Sequence, residues 1–107
     1  MTMQPPDDPV VKRYRAVLDE VYGTQIERVI LFGSRARGDA RPDSDYDIAL
    51  FLKSLPDRWA EQHRLADLRV IFLDDADAFF DTKLYPATAW FERTPLMREI
   101  RRDGLPL

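Results

Sequence analysis

Two short apolar runs, Val29-Ile30-Leu31-Phe32 and Ile48-Ala49-Leu50-Phe51-Leu52, constrain this chain more than any other feature of its sequence. Both are rich in β-type residues, and both are apolar at successive rather than alternate positions. That pattern predicts strands covered on both faces, hence a sheet between helices. Gly33 bounds the first run, and the second opens on Asp45-Tyr46-Asp47. The segment between them, Gly33 to Ser44, is polar and rich in glycine and arginine. It is too short for an ordinary helical crossover, so the two strands are expected to run antiparallel.

The flanking elements follow from periodicity. Val10, Val11, Tyr14, Val17, Leu18, Val21 and Tyr22 recur at helical spacing and stop at Gly23. The Pro-rich, polar residues 1–9 before them read as a mobile tail. Ser54-Leu55-Pro56-Asp57 resembles a capping box before a helix over 56–73, with Trp59, His63, Ala66, Val70 and Leu73 on one apolar stripe. After the acidic link Asp74 to Asp77, residues 79–85 form a third strand that Pro86 ends. Thr94-Pro95 opens a last helix, which Gly104 terminates. The order α-β-β-α-β-α predicts an α/β fold: a small mixed β-sheet flanked by helices, in one domain over 10–107.

Composition sets outer bounds. At 107 residues, 45% of them hydrophobic and with a net charge of −3, the chain has the makeup of one globular domain rather than a disordered polymer. No apolar run reaches the ~20 residues needed to cross a bilayer, so no membrane association is expected. Residues 1–9 lack the basic start and apolar stretch of a signal peptide. There is no cysteine, which removes disulfides, thiolate zinc sites and thiol nucleophiles. His63, the only histidine, has no partner for a metal site or a hydrolytic triad. The acidic balance argues against stable nucleic-acid binding. The expected setting is cytoplasmic.

Three features together carry chemistry. Gly33-Ser34 ends a strand and opens a loop with Arg35, Arg37 and Arg41, where close backbone approach, amides and a hydroxyl can cradle phosphate. Asp45 and Asp47 lie two apart on a strand, so they share one face about 6.6 Å apart. Such a pair suits a hard divalent cation with oxygen ligands. Asp81, in the next strand, can stand beside that pair, with Lys83 on the same face. Charge sorts likewise, with four arginines against one acid over 28–41 and four aspartates without a base over 74–81. Two-metal phosphoryl and nucleotidyl transfer needs this combination.

Gly33-Ser34, ten intervening residues and then Asp45-Tyr46-Asp47 resemble the signature of the DNA polymerase β-like nucleotidyltransferases. The tract GSRARGDARPDSDYDIAL is similar to that of the minimal nucleotidyltransferases, single domains of about this size. The resemblance implies a magnesium-dependent enzyme that moves AMP from ATP to an acceptor hydroxyl. Gly33 and Ser34 would bind the β- and γ-phosphates, with Arg35 or Arg37 neutralising the triphosphate. Asp45, Asp47 and Asp81 would hold two Mg²⁺ ions, with Asp81 beside the attacking hydroxyl. The resemblance further implies an antitoxin that adenylylates a tyrosine of a HEPN-domain ribonuclease toxin. The alternative is an antitoxin that neutralises its partner by binding alone. The strand around Asp81 is half polar, unlike the family pattern, so Asp77, Asp74 and Asp75 stay open as third ligand. A small-molecule transferase would need an added helical domain, and a nucleic-acid end-adding enzyme suits neither the charge nor the length.

Overall fold

The computed structural model describes residues 7–107. Helix α1 spans Pro9–Tyr22, with proline in its first turn and Asp8 as its cap. The Asp8 carboxylate accepts from the Val10 amide and from the Tyr46 hydroxyl, each at 2.9 Å. Asp8 satisfies a helix-end donor and ties the chain to the sheet, so Asp8 and Pro9 of the span read as tail take part in the fold. Residues 1–6 of that tail lie outside the described residues.

Strands β1 (Ile26–Phe32) and β2 (Tyr46–Leu52) pair antiparallel, as the length of their connection requires. Helix α3 (Arg58–Ala76) then crosses back to β3 (Phe80–Pro86), which pairs parallel to β2. Helix α4 (Pro95–Asp103) leads into a two-residue strand β4 (Leu105–Pro106), giving the order β3-β2-β1-β4. Periodicity had no means of revealing β4, which is two residues long and half proline. A single helical turn, α2 (Ser34–Arg37), lies within the segment expected as loop.

Alternate residues of the sheet serve two cores. Val29, Leu31, Tyr46, Ile48, Leu50, Phe80 and Leu84 pack with α1 and α3. Ile30, Phe32, Ala49 and Phe51 pack with Ala89, Met97 and Ile100 of the α4 side. Tyr14 joins three elements of the first core. Its ring stacks on Phe80 at 4.0 Å and meets Phe72 edge-on at 5.1 Å, and its hydroxyl shares a 2.6 Å hydrogen bond with Thr82. That bond accounts for a polar residue in β3, because Thr82 faces the helices and is satisfied there.

The apolar stripe expected on α3 is corrected. Leu65 and Phe72 are the buried residues of the helix, while Trp59, Val70 and Leu73 are 74%, 57% and 44% exposed. The helix has apolar residues on more than one face, so periodicity did not identify the side the sheet covers. Trp59 and His63 pack edge-to-face at 5.2 Å on the outer side.

Candidate active site

The site is built where β1 ends and β2 and β3 begin. After Phe32 the chain turns at Gly33, with φ 74° and ψ −156°, a region that side chains strongly disfavour. Space imposes the same choice: a Cβ at Gly33 would lie 2.3 Å from Asp47 Oδ2. Glycine therefore lets the Asp47 carboxylate lie directly against the turn. The Gly33 carbonyl accepts from the Ala36 and Arg37 amides at 3.1 Å each, closing α2. Gly38, left-handed at φ 86°, ends it.

Register brings the carboxylates together. Asp47 stands opposite Phe32 on one side and beside Asp81 on the other. Neighbouring strands are about 4.8 Å apart, and residues in register share a face. Asp81 and Lys83 thus lie on the same side of the sheet as Asp47, opposite Phe80 and Thr82. Asp45 precedes β2 by one residue and is exposed. Burial pushes the Asp47 carboxyl above the ordinary carboxylate range; Asp81 raises it further, Lys83 opposes, and Asp45 and Glu99 add to the rise. Lys83 Nζ is 3.6 Å from Asp81 Oδ2 in a half-exposed pair.

The other candidates are placed apart. Asp77 caps the C-terminus of α3 in a left-handed conformation, and Asp74 and Asp75 occupy that helix's last turn, Asp75 paired with Arg13 at 3.3 Å. That helix covers the opposite face of the sheet. Asp77 lines a cavity of about 480 Å³ there with Tyr46, Leu73 and Phe79. The two arginines of α2 also part company. Arg35 lies 4.2 Å over the Tyr46 ring and donates to the carbonyls of Ser44 and Pro42, fastening the loop before Asp45. Arg37 reaches Glu99 of α4 at 3.1 Å and Asp39 at 3.4 Å.

Glu99 is the site residue that sequence reasoning missed. It contributes to the field at Asp47, yet no spacing rule links a helix residue near the C-terminus to a turn 62 residues earlier. Hard oxygen donors on one face, two of them adjacent in register, suit a divalent cation. As the side chains stand, no three His, Cys, Asp or Glu among the described residues converge to ligand distance. Among the same residues, no helix is long and apolar enough to cross a membrane.

Known proteins resemble this chain in sequence and in fold. A Methanocaldococcus jannaschii protein named as a protein adenylyltransferase is 36% identical over 47 residues, 44% of this chain and 48% of that protein. The chain thus spans about half the length of the curated relative it matches. A crystal structure of a toxin–antitoxin with AMP-PNP superposes with a TM-score of 0.63 at 20% identity, covering 89% of this chain and 70% of that one. One of the toxin–antitoxin MntA-HpeT mutant superposes at 0.59, with 19% identity and the same coverage. Both share the fold. The family model described as polymerase beta, nucleotidyltransferase matches residues 17–87, a span that holds Gly33, Asp45, Asp47 and Asp81. The chain belongs to the polymerase beta nucleotidyltransferase family.

Proposed function

We propose that this protein is a magnesium-dependent nucleotidyltransferase that moves AMP from ATP to a hydroxyl, most simply a tyrosine, of a HEPN ribonuclease toxin and so acts as its antitoxin. The observation that carries the reading is the register of Asp47 beside Asp81, with Asp47 seated against Gly33. Its support is the family match over both strands, together with the toxin–antitoxin structures that share the fold. A cytoplasmic setting, where ATP is at hand, belongs to the same proposal.

In this reading Asp45, Asp47 and Asp81 hold two magnesium ions, and Gly33 and Ser34 receive the β- and γ-phosphates. When bound, the ions neutralise charge on the attacking and leaving oxygens. Arg37, on the aspartate side of α2, meets the triphosphate, while Arg35 fixes the loop that aims Asp45. The acceptor oxygen bonds to the α-phosphorus as the bond to the β-phosphoryl oxygen breaks. Pyrophosphate leaves, and the hydroxyl proton passes to the Asp81 carboxylate.

Asp81→Asn and Asp77→Asn test the assignment of the third carboxylate. Asp81→Asn is expected to lower AMP transfer by about 10²–10⁴, the range for loss of a positioned proton acceptor. Asp77→Asn is expected to stay near wild type, since asparagine also tolerates the left-handed cap. Transfer of labelled AMP to the toxin measures both. The reverse pattern contradicts the assignment of Asp81.

A further inference from the structure

The turn Ser34–Arg37 sends its two arginines to opposite sides of the sheet, and only Arg37 goes to the side of Asp47 and Asp81. Its guanidinium is held at two points. Nη1 donates to Glu99 Oε1 at 3.1 Å, and Nε donates to Asp39 Oδ2 at 3.4 Å. The Nη2 group makes no hydrogen bond to the described residues and remains available to an oxyanion. Glu99 is itself firmly placed. The next residue, Ile100, is fully buried with Ile30 and Phe32, so α4 fixes where the Glu99 backbone lies. Residue 99 falls outside the span matched by the family, which ends at 87.

We infer that Glu99 is a positioning residue for nucleotide: it holds Arg37 beside the Gly33–Ser34 turn in the orientation that meets the phosphates of ATP. The inference rests on the nucleotidyltransferase reading of the same site. As a structural contact alone the pair would do little, because both side chains are exposed by about a third (39% and 34%) and solvent screens them. Its effect is therefore expected in nucleotide affinity rather than in folding. Glutamine at 99 keeps an oxygen acceptor for Arg37, whereas alanine leaves none.

The experiment measures Mg·ATP dissociation constants by titration calorimetry, with melting temperatures alongside, for wild type, Glu99→Ala, Glu99→Gln, Arg37→Ala and the Arg37→Ala, Glu99→Ala double variant. Glu99→Ala is expected to weaken binding about tenfold, the scale of one charge-assisted bond. Glu99→Gln is expected within about threefold of wild type, and the double variant no weaker than Arg37→Ala alone. Melting temperatures stay level. Unchanged or tighter binding in Glu99→Ala overturns the inference, as do additive losses in the double variant, while leaving the nucleotidyltransferase reading intact. A wild-type protein that binds no ATP overturns both.

Discussion

Asp47→Asn is expected to reduce nucleotidyl transfer by at least about 10³ while leaving the metal-free fold as stable as before or more so. The loss follows from position. Asp47 is the carboxylate shared by both neighbours of the site, opposite the end of β1 and beside Asp81 of β3. Removing its charge strips the proposed metal site of its central ligand, whereas electrostatic stabilisation of a developing oxyanion by a single group is commonly worth 10²–10³. The stability change has the opposite sign for a physical reason. Burial and then the Asp81 charge hold the Asp47 carboxyl above the ordinary range, so the fold disfavours its ionised form. That stabilising preference for the protonated group is complete below the unfolded carboxylate's pKa and is lost as pH rises through the raised native value. Metal-free wild type should therefore lose stability over that interval, and Asp47→Asn should not. Asp47 is only half buried, so solvent tempers the difference. Thermal melts across acid to neutral pH, with chelator present, measure it. A variant that unfolds at lower temperature than wild type at neutral pH contradicts the account of the carboxylate pair.

Gly33→Ala is expected to damage both the fold and the site. Two effects combine. Holding a non-glycine residue at φ 74° and ψ −156° costs about 1–3 kcal/mol. The added Cβ would also stand 2.3 Å from Asp47 Oδ2, far inside contact, so the carboxylate or the turn must shift. Overpacking of this kind costs about 1–3 kcal/mol. Displacing Asp47 also misaligns the group on which transfer is proposed to depend, and a shift of about an ångström can cost about 10²-fold. The combined expectation is a destabilisation of roughly 2–6 kcal/mol and transfer lowered by about 10² or more. A stable variant with unimpaired transfer would show that Asp47 does not use this approach to the backbone. Gly38→Ala is the contrasting control: at φ 86° and ψ 11° it lies in the milder left-handed region, and nothing lies within 4 Å of the added Cβ, so a smaller loss of stability is expected.

How much of this was legible in the sequence varied with the kind of information. The antiparallel pairing of β1 and β2 followed from chain length alone. The Gly33-Ser34 and Asp45-x-Asp47 spacing identified the end of the sheet where the site lies. Asp81 is one candidate beside Asp74, Asp75 and Asp77 because sequence does not fix the register of a parallel neighbour; in the fold Asp81 is the one in register with Asp47, which is why it is the residue proposed. The half-polar look of β3 resolved into two faces, with Thr82 bonded to Tyr14 inside and Lys83 beside Asp81 outside. Helix α3 misled because it carries apolar residues around much of its circumference. Trp59, Val70 and Leu73 kept helical spacing yet face outward, whereas Leu65 and Phe72 meet the sheet. Glu99 was invisible because its contact with Arg37 depends on α4 folding back over the second face, a long-range event with no local signature.

The most direct test is the intact mass of a HEPN-domain toxin co-expressed with this chain, wild type beside the Asp45→Asn, Asp47→Asn double variant. The account predicts that the toxin gains mass in whole AMP units with wild type and gains none with the double variant. A toxin that stays unmodified yet is neutralised and co-purifies with both forms would contradict transfer and leave neutralisation by binding alone.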